Sequence, residues 1–270
     1  MNKILYVLAF GTVLLLILYF VISWQLKAKL LNKAINNGVS QENLSKPINE
    51  NSSPETPTPA TETYESSDYK IVWIRVRDLD RIEFFANFNE KLDSKSLVQN
   101  NNCLHLVSGG FFTEEGKPIG LFISNGKVIS NSIESTLFNG YFSISENGTV
   151  TTSSLTPPSA RLAIQSGPIL MQNSKKIGLK LERDELARRI VVASTKNNQV
   201  VFVAMYMRTN PILGPKLSEV PSIIEEINKN STLEITDAIN LDGGSHSAFL
   251  TDIVKLTELN SIGSFFCVKP

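Results

Sequence analysis

Leu121-Phe122-Ile123-Ser124-Asn125-Gly126-Lys127-Val128-Ile129 joins two short apolar runs through an Asn-Gly pair. A type I′ turn needs positive φ at both central residues, which Asn and Gly supply, so the stretch reads as a β-hairpin. Asn147-Gly148 repeats the signal, and a third hairpin is expected where Ile190 to Ala193 meets Val200 to Tyr206 across Lys196-Asn197-Asn198-Gln199. Upstream, Ile71-Val72-Trp73-Ile74-Arg75-Val76 is a β-branched run that reads as a strand. One helix stands against these strands, around Ser218 to Lys229, where Val220, Ile223, Ile224 and Ile227 share a face and Pro221 lies in the first turn. There is no regular βαβ alternation. The expectation is an α+β domain on a mixed or largely antiparallel sheet with a few flanking helices.

A chain of 270 residues with 42% hydrophobic content can bury one substantial core and carry accessory segments. Its formal net charge is zero, so it lacks the basic field that a nucleic-acid binder uses to capture phosphate backbones. Cys103 and Cys267 have no partners at metal-ligand spacing, and neither a metal nor a cofactor is expected. The two cysteines read as separate buried thiols, a single bridge being the alternative for an extracytoplasmic domain.

The amino-terminal quarter is organised differently. Ile4 to Trp24 is apolar and long enough to cross a hydrocarbon core of roughly 30 Å, with no small-residue cleavage site at Trp24-Gln25-Leu26-Lys27. Residues 1–33 are therefore expected to anchor the chain in a membrane. Residues 34–66, rich in Asn, Ser, Thr, Pro and Glu, read as a disordered stalk, and 67–270 as the folded domain outside the cytoplasm. Lys27, Lys29 and Lys33 after the span weigh against that orientation.

Four polar clusters punctuate the domain. Asn240-Leu241-Asp242-Gly243-Gly244-Ser245-His246-Ser247 places a carboxylate, two glycines, two hydroxyls and an imidazole between apolar runs. Paired glycines can turn backbone N–H groups toward an anion, whereas the bland alternative is a tight turn capped by the Asp. Ser108-Gly109-Gly110-Phe111-Phe112 follows a strand-like run that contains His105, and a bulge would explain it equally well. Gln165-Ser166-Gly167-Pro168 offers an amide and a hydroxyl at a turn. Arg188-Arg189 precedes a strand, where a guanidinium can grip phosphate with two parallel hydrogen bonds or simply face solvent.

Taken in order, Ser-Gly-Gly-Phe-Phe (108–112), Lys-Pro-Ile-Gly-Leu (117–121), Asn-Gly-Tyr-Phe (139–142), Gln-Ser-Gly-Pro-Ile-Leu (165–170), Arg189 with its strand and Asn-Leu-Asp-Gly-Gly-Ser (240–245) resemble the phosphodiester glycosidase family. The resemblance runs from about Ile71 to the C-terminus. It departs at Ser108, where members commonly have Asn, at Ile190, where Thr or Asn is common, and at His246, where a small residue is frequent.

The activity the resemblance implies is cleavage of a sugar C1–O bond with a phosphate ester as leaving group, of the GlcNAc-1-phosphodiester type. Most glycosidases need a second, raised-pKa carboxyl to protonate a poor leaving group. A phosphate leaves readily and needs charge stabilisation instead. On this reading Asp242 is base or nucleophile, with turnover rising through a single acidic pKa, and Arg189 binds the phosphate. Gly109, Gly110, Gly243 and Gly244 donate backbone N–H groups, while Gln165, Ser166, Ser245, Ser108 and His246 contact the substrate. A serine-hydrolase elbow at 243–247 fails because no histidine follows His246. A non-catalytic module that binds phosphorylated envelope glycans is the alternative.

Overall fold

The computed structural model describes residues 60–66 and 68–270. The expected membrane span Ile4 to Trp24 and the stalk up to residue 59 lie outside the described residues. Among the described residues no helix is long and apolar enough to cross a membrane.

The fold is α+β and mostly β, with three antiparallel sheets. The first has seven strands in the order β1 (Thr61–Glu65), β2 (Tyr69–Val76), β13 (Val200–Met207), β12 (Arg189–Thr195), β14 (Ile235–Asn240), β10 (Ile169–Gln172) and β11 (Lys175–Lys176). The second runs β16 (Lys255–Leu256), β15 (Phe249–Leu250), β4 (His105–Ser108), β17 (Ser264–Val268) and β3 (Ile82–Ala86). The third runs β6 (Lys127–Ser130), β5 (Phe122–Ser124), β9 (Leu162–Ser166), β7 (Gly140–Ile144) and β8 (Val150–Ser153). The folded part starts earlier than the boundary expected at 67, because Thr61–Glu65 pairs with β2 as an edge strand.

All three expected hairpins form. Asn125 and Gly126 take φ of 50° and 72°, the positive values that their turn requires. At the second hairpin only Gly148 is positive, and Gly148 N–H donates to Ser145 O while Ser145 N–H donates to Thr149 O. Lys196 to Gln199 connects β12 to β13.

Strand alternation splits the apolar residues of the first sheet between two cores. Val72, Ile74, Ile190, Val192, Phe202 and Ile239 face the other two sheets, where Phe84 stacks on Phe122 at 4.4 Å and on Phe266 at 4.2 Å. Ile71, Trp73, Val191, Ala193, Val201 and Val203 face the opposite way. That face is covered by α2 (Val220–Asn230), which buries Val220, Ile224 and Ile227. A shorter helix, α1 (Ser94–Asn101), is capped by Asp93 and covers Leu106, Phe265 and Cys267 on the outer face of the second sheet.

The two cysteines are not separate thiols. Cys103 and Cys267 form a disulfide with a Cα–Cα distance of 5.3 Å, across a sequence separation of 164 residues. Cys267 faces Leu106 in the β4/β17 ladder, which brings the neighbouring Cys103 within reach. A chain-entropy account gives about 5 kcal/mol for closing a loop of this length, and measured values run about 2–4 kcal/mol. The double variant Cys103→Ala/Cys267→Ala is expected to lose stability in that range. Urea unfolding checks this, and an unchanged midpoint would mean that the bridge is not a stabilising link.

Candidate active site

The polar clusters that are far apart in sequence interlock at one end of the central core. Asp242 N–H donates to Gly109 O at 3.1 Å, tying the end of β14 to the end of β4. Gly167 N–H donates to Asn240 O, Asn240 N–H to Pro168 O, and Asn240 Nδ2 to Gly167 O. Ser166 Oγ adds a bond to Asn240 O at 2.7 Å. Gly244 N–H donates to Arg188 O at 2.8 Å. Asp242 thus stands where the first two sheets meet, with the β9–β10 turn locked beside it.

The glycines are needed for this approach of backbones. A Cβ on Gly109 would lie 2.3 Å from Ser264 Oγ, one on Gly110 2.6 Å from Ile164 Cδ1, and one on Gly243 2.5 Å from Arg188 O. Their N–H groups are largely used inside the protein. Gly109 donates to Ser264 O, Gly244 to Arg188 O, and Gly243 to the Asp242 carboxylate. The expectation that Gly109, Gly243 and Gly244 offer free N–H groups to an anion is corrected accordingly. Of the four expected donors only Gly110 has no acceptor among the described residues.

Gln165 and Ser166 are frame rather than open surface. Gln165 is 2% exposed, and its Oε1 accepts from Leu121 and Ile133 N–H while its Nε2 donates to Ile133 O and Phe138 O. Ser166 is fully buried on Asn240. Ser108 is buried too, and lies on the Leu106 face of β4, toward α1. The contacts with substrate expected of these three are not offered by their hydroxyl and amide groups in this arrangement. Ser245 and His246 are half-buried and adjoin open space. Ser245 Oγ lies 3.3 Å from His246 Nδ1 and accepts from Asn260 Nδ2 at 3.1 Å.

The adjacent arginines do different work. Arg188 is 1% exposed, and its guanidinium donates to Ser247 Oγ, Ser247 O, Gly244 O, Thr257 O and Pro211 O. Burial pulls it down to about 10, with Glu258 opposing, so it stays charged at neutral pH. Arg189 leaves the opposite face of the strand. Because Val191 faces Asn240 and Leu241 N–H still donates to Ile190 O, Arg189 and Asp242 are the next pair along one face of the ladder. The Arg189 guanidinium nevertheless turns to Pro215 O at 3.0 Å, to Glu185 O and to Asp184 at 3.8 Å. Asp184 is itself held by Leu217 and Ser218 N–H groups.

Burial pushes the Asp242 carboxyl up to about 7, and the Gly243 N–H is the only group that opposes it. Arg189 does not neutralise it. Burial weighs against the acidic pKa expected for this group, while the residue as a whole stays half-buried at the end of the strand.

Two clefts flank the segment after Gly110. On one side Phe111 contacts Phe138 at 5.0 Å between centroids, and Phe138 lines a cleft of about 570 Å³ with Glu134, Ser135, Asn139 and Tyr141. On the other, Phe112 meets His246 edge-on at 5.6 Å in a cleft of about 270 Å³. Sequence reading missed Asn260, Lys91 and the 133–138 loop, since nothing local links them to the motifs. Among the described residues no group of three or more His, Cys, Asp or Glu side chains could hold a metal.

A family model described as phosphodiester glycosidase matches residues 101–265, more than half of the chain. Among solved structures, the catalytic domain of zebrafish N-acetylglucosamine-1-phosphodiester α-N-acetylglucosaminidase, auto-inhibited by its pro-peptide, superposes with a TM-score of 0.63. It is 17% identical, and the match covers 81% of this chain and 85% of that one. A hypothetical protein from Synechocystis follows with a TM-score of 0.58 and 11% identity, over 79% of this chain and 64% of that one. These likenesses show the fold. No curated protein matches the sequence.

The position of Asp242 predicts how stability depends on pH. Its carboxyl holds a proton to about 7 when folded and to about 3.9 when unfolded, so the native state binds more protons between those values. This group's contribution to stability therefore falls as pH rises from about 4 to about 7. Asp242→Asn removes that penalty. Relative to wild type, the variant is expected to gain stability as pH rises through this window, each tenfold difference in proton affinity being worth about 1.4 kcal/mol. Melting curves at pH 4 and pH 8 measure it, and a variant no more stable than wild type at pH 8 would mean that folding does not raise this carboxyl.

Proposed function

The chain belongs to the phosphodiester glycosidase family, and from that premise we propose that it cleaves the bond between an anomeric carbon and a phosphodiester oxygen, in a substrate of the GlcNAc-1-phosphodiester type. The observation that carries this reading is the single motif carboxyl at the meeting point of the clusters, Asp242, whose N–H is tied to Gly109 O where two sheets join. At pH 7 and above enough of it is ionised to face positive charge developing at the anomeric carbon, or to take a proton from attacking water. The departing phosphate carries its own charge and needs little protonation, which fits a site with one motif carboxylate.

Arg189 is the cation we assign to that phosphate. It starts from the same sheet face as Asp242, and its guanidinium would exchange the Asp184 and backbone partners for phosphate oxygens. We further place the domain outside the cytoplasm, anchored through Ile4 to Trp24. The Cys103–Cys267 disulfide supports an oxidising compartment.

Incubating residues 60–270 with α-GlcNAc-1-phosphodiesters and following free reducing sugar tests the activity. In Asp242→Asn, turnover is expected to drop by at least about a hundredfold with the fold intact. In the wild type, kcat/KM should rise through an apparent pKa near 7 and level off above it, since the ionised form is the active one. Substrate that binds without turnover at any pH would favour a glycan-binding module.

Arg189→Lys keeps the charge and removes the two-pronged grip, so its activity should fall by about tenfold or more while the melting temperature holds. An unchanged rate would place the phosphate elsewhere. Arg188→Lys is expected to act on stability instead, because it strips a buried charge of its acceptors.

A further inference from the structure

We propose that Asp184 is a positioning residue for the reaction: it keeps the Arg189 guanidinium away from Asp242 in the free protein, and without it the guanidinium pairs with that carboxyl. The inference rests on the glycosidase reading and adds a residue that lies outside every sequence motif.

The ladder sets Arg189 and Asp242 face to face. Val191 pairs with Asn240, and Leu241 N–H donates to Ile190 O, so the next residues opposite each other are Arg189 and Asp242. The bond between 190 and 241 makes the following pair a non-hydrogen-bonded one, in which opposed side chains lie closest, at about 5 Å between Cβ atoms. Asp242 N–H accordingly turns away from β12 and donates to Gly109 O. A Cβ on Gly243 would lie 3.8 Å from Arg189 Cα, so the two segments still run side by side one residue later. An arginine side chain spans the gap to Asp242 with length to spare.

Asp184 draws the guanidinium the other way. Arg189 Nε donates to Pro215 O and Nη2 to Glu185 O, and Asp184 Oδ1 lies 3.8 Å from that second nitrogen. The two carbonyls are neutral, so the ionic part of the pull comes from Asp184. Its carboxylate is fixed in place, because Oδ1 accepts from Leu217 N–H at 2.6 Å and Oδ2 from Ser218 N–H at 3.0 Å, just before α2. Burial works against its charge, but the Ser218 and Leu217 N–H groups and Arg189 prevail and hold the carboxyl below its usual range. Burial also lowers Arg189, and Asp184, Glu185 and Glu219 oppose this in that order. Glu185 is exposed, where an ion pair is worth little, and Glu219 is engaged by Lys216 N–H and the Tyr69 hydroxyl.

Nothing else near Asp242 takes the part of Arg189. The segments 108–112, 165–168 and 211–215 that meet around this end of β14 carry no charged side chain. Arg188 leaves the opposite face of β12, with its guanidinium spent on Ser247 and on carbonyls. His246, on the loop after Asp242, is turned edge-on to Phe112. Loss of Asp184 therefore leaves Asp242, directly across the ladder, as the carboxylate for Arg189 to pair with. An opposite charge at that range lowers the midpoint of a carboxyl by about 1–3 pH units.

The test follows the titration of Asp242 in the full chain without substrate, by NMR of its side-chain carboxyl. The midpoint should fall by about one pH unit or more in Asp184→Asn. It should return to the wild-type value in Asp184→Glu, which restores the acidic partner, and in Asp184→Asn/Arg189→Gln, which removes the cation. In Asp184→Asn the rising limb of kcat/KM should move to lower pH with the midpoint, and the plateau of kcat should drop by about tenfold, because the pair stabilises the resting carboxylate. Should the Asn variant fail to fold, Asp184→Ser repeats the comparison with a hydroxyl that still accepts from Leu217 or Ser218 N–H. An unchanged midpoint in the folded variant, or a fall that persists without Arg189, would overturn the proposal. A midpoint that moves as described in a chain that releases no sugar would sink the glycosidase reading and leave the role of Asp184 standing.

Discussion

The buried guanidinium of Arg188 is the constraint on which the geometry of this site depends. A charge withdrawn from water is tolerated only where hydrogen bonds replace hydration, and here the acceptors come from three separate segments, at 211, 244–247 and 257. The backbone of the same residue adds to this, with Arg188 O accepting from Gly244 and Arg188 N–H donating to Ile212 O. One residue therefore sets the path of the loop that follows Asp242. Glu258 extends the arrangement outward, because it opposes the burial shift of Arg188 while its Oε1 accepts from Ser94 at the start of α1.

Glycine completes what the arginine begins. Two sheets can be joined at Asp242 only if their strand ends approach at backbone distance, and Gly109 and Gly243 make this possible by presenting no Cβ to Ser264 and Arg188. The same approach uses up their N–H groups. A glycine pair next to a carboxylate can mean an anion nest or a close backbone crossing. In this chain the crossing dominates, and charge stabilisation has to come from side chains.

The architecture was legible wherever the signal was local. Asn125-Gly126 dictates its own turn through positive φ, and Ile224 and Ile227 repeat at helical spacing, so neither requires knowledge of distant partners. The eight-residue α1 escaped because two turns with a single fully buried apolar residue, Leu97, carry almost no periodicity. The disulfide escaped for the opposite reason, since its register is set by β4 and β17 pairing across most of the domain. In the site, the order of motifs identified which loops converge but not which way each side chain points. Gln165 and Arg189 look alike in sequence, as polar residues at strand ends. Packing turns the first into a brace for the 133–138 loop, and sends the guanidinium of the second to a strap at 184–185.

That diversion of Arg189 bears on how the proposed chemistry gains its driving force. An arginine resting against Asp242 would favour its ionised form, hold its pKa low and stabilise the carboxylate before any substrate arrived. Such an interaction acts equally on resting enzyme and transition state and does not accelerate the chemical step. With Arg189 engaged by Asp184 and Pro215, Asp242 is left half-buried, with its carboxyl pushed up by desolvation and short of a counter-charge. In the proposed reaction the partner it lacks is positive charge at an anomeric carbon, which exists only as the glycosidic bond breaks. In the same proposal the partner for Arg189 is a phosphate whose charge grows as it departs. Keeping the two ions apart in the free protein makes both attractions strongest at the transition state, and the stability lost by burying an unpaired carboxyl is the physical counterpart of that arrangement.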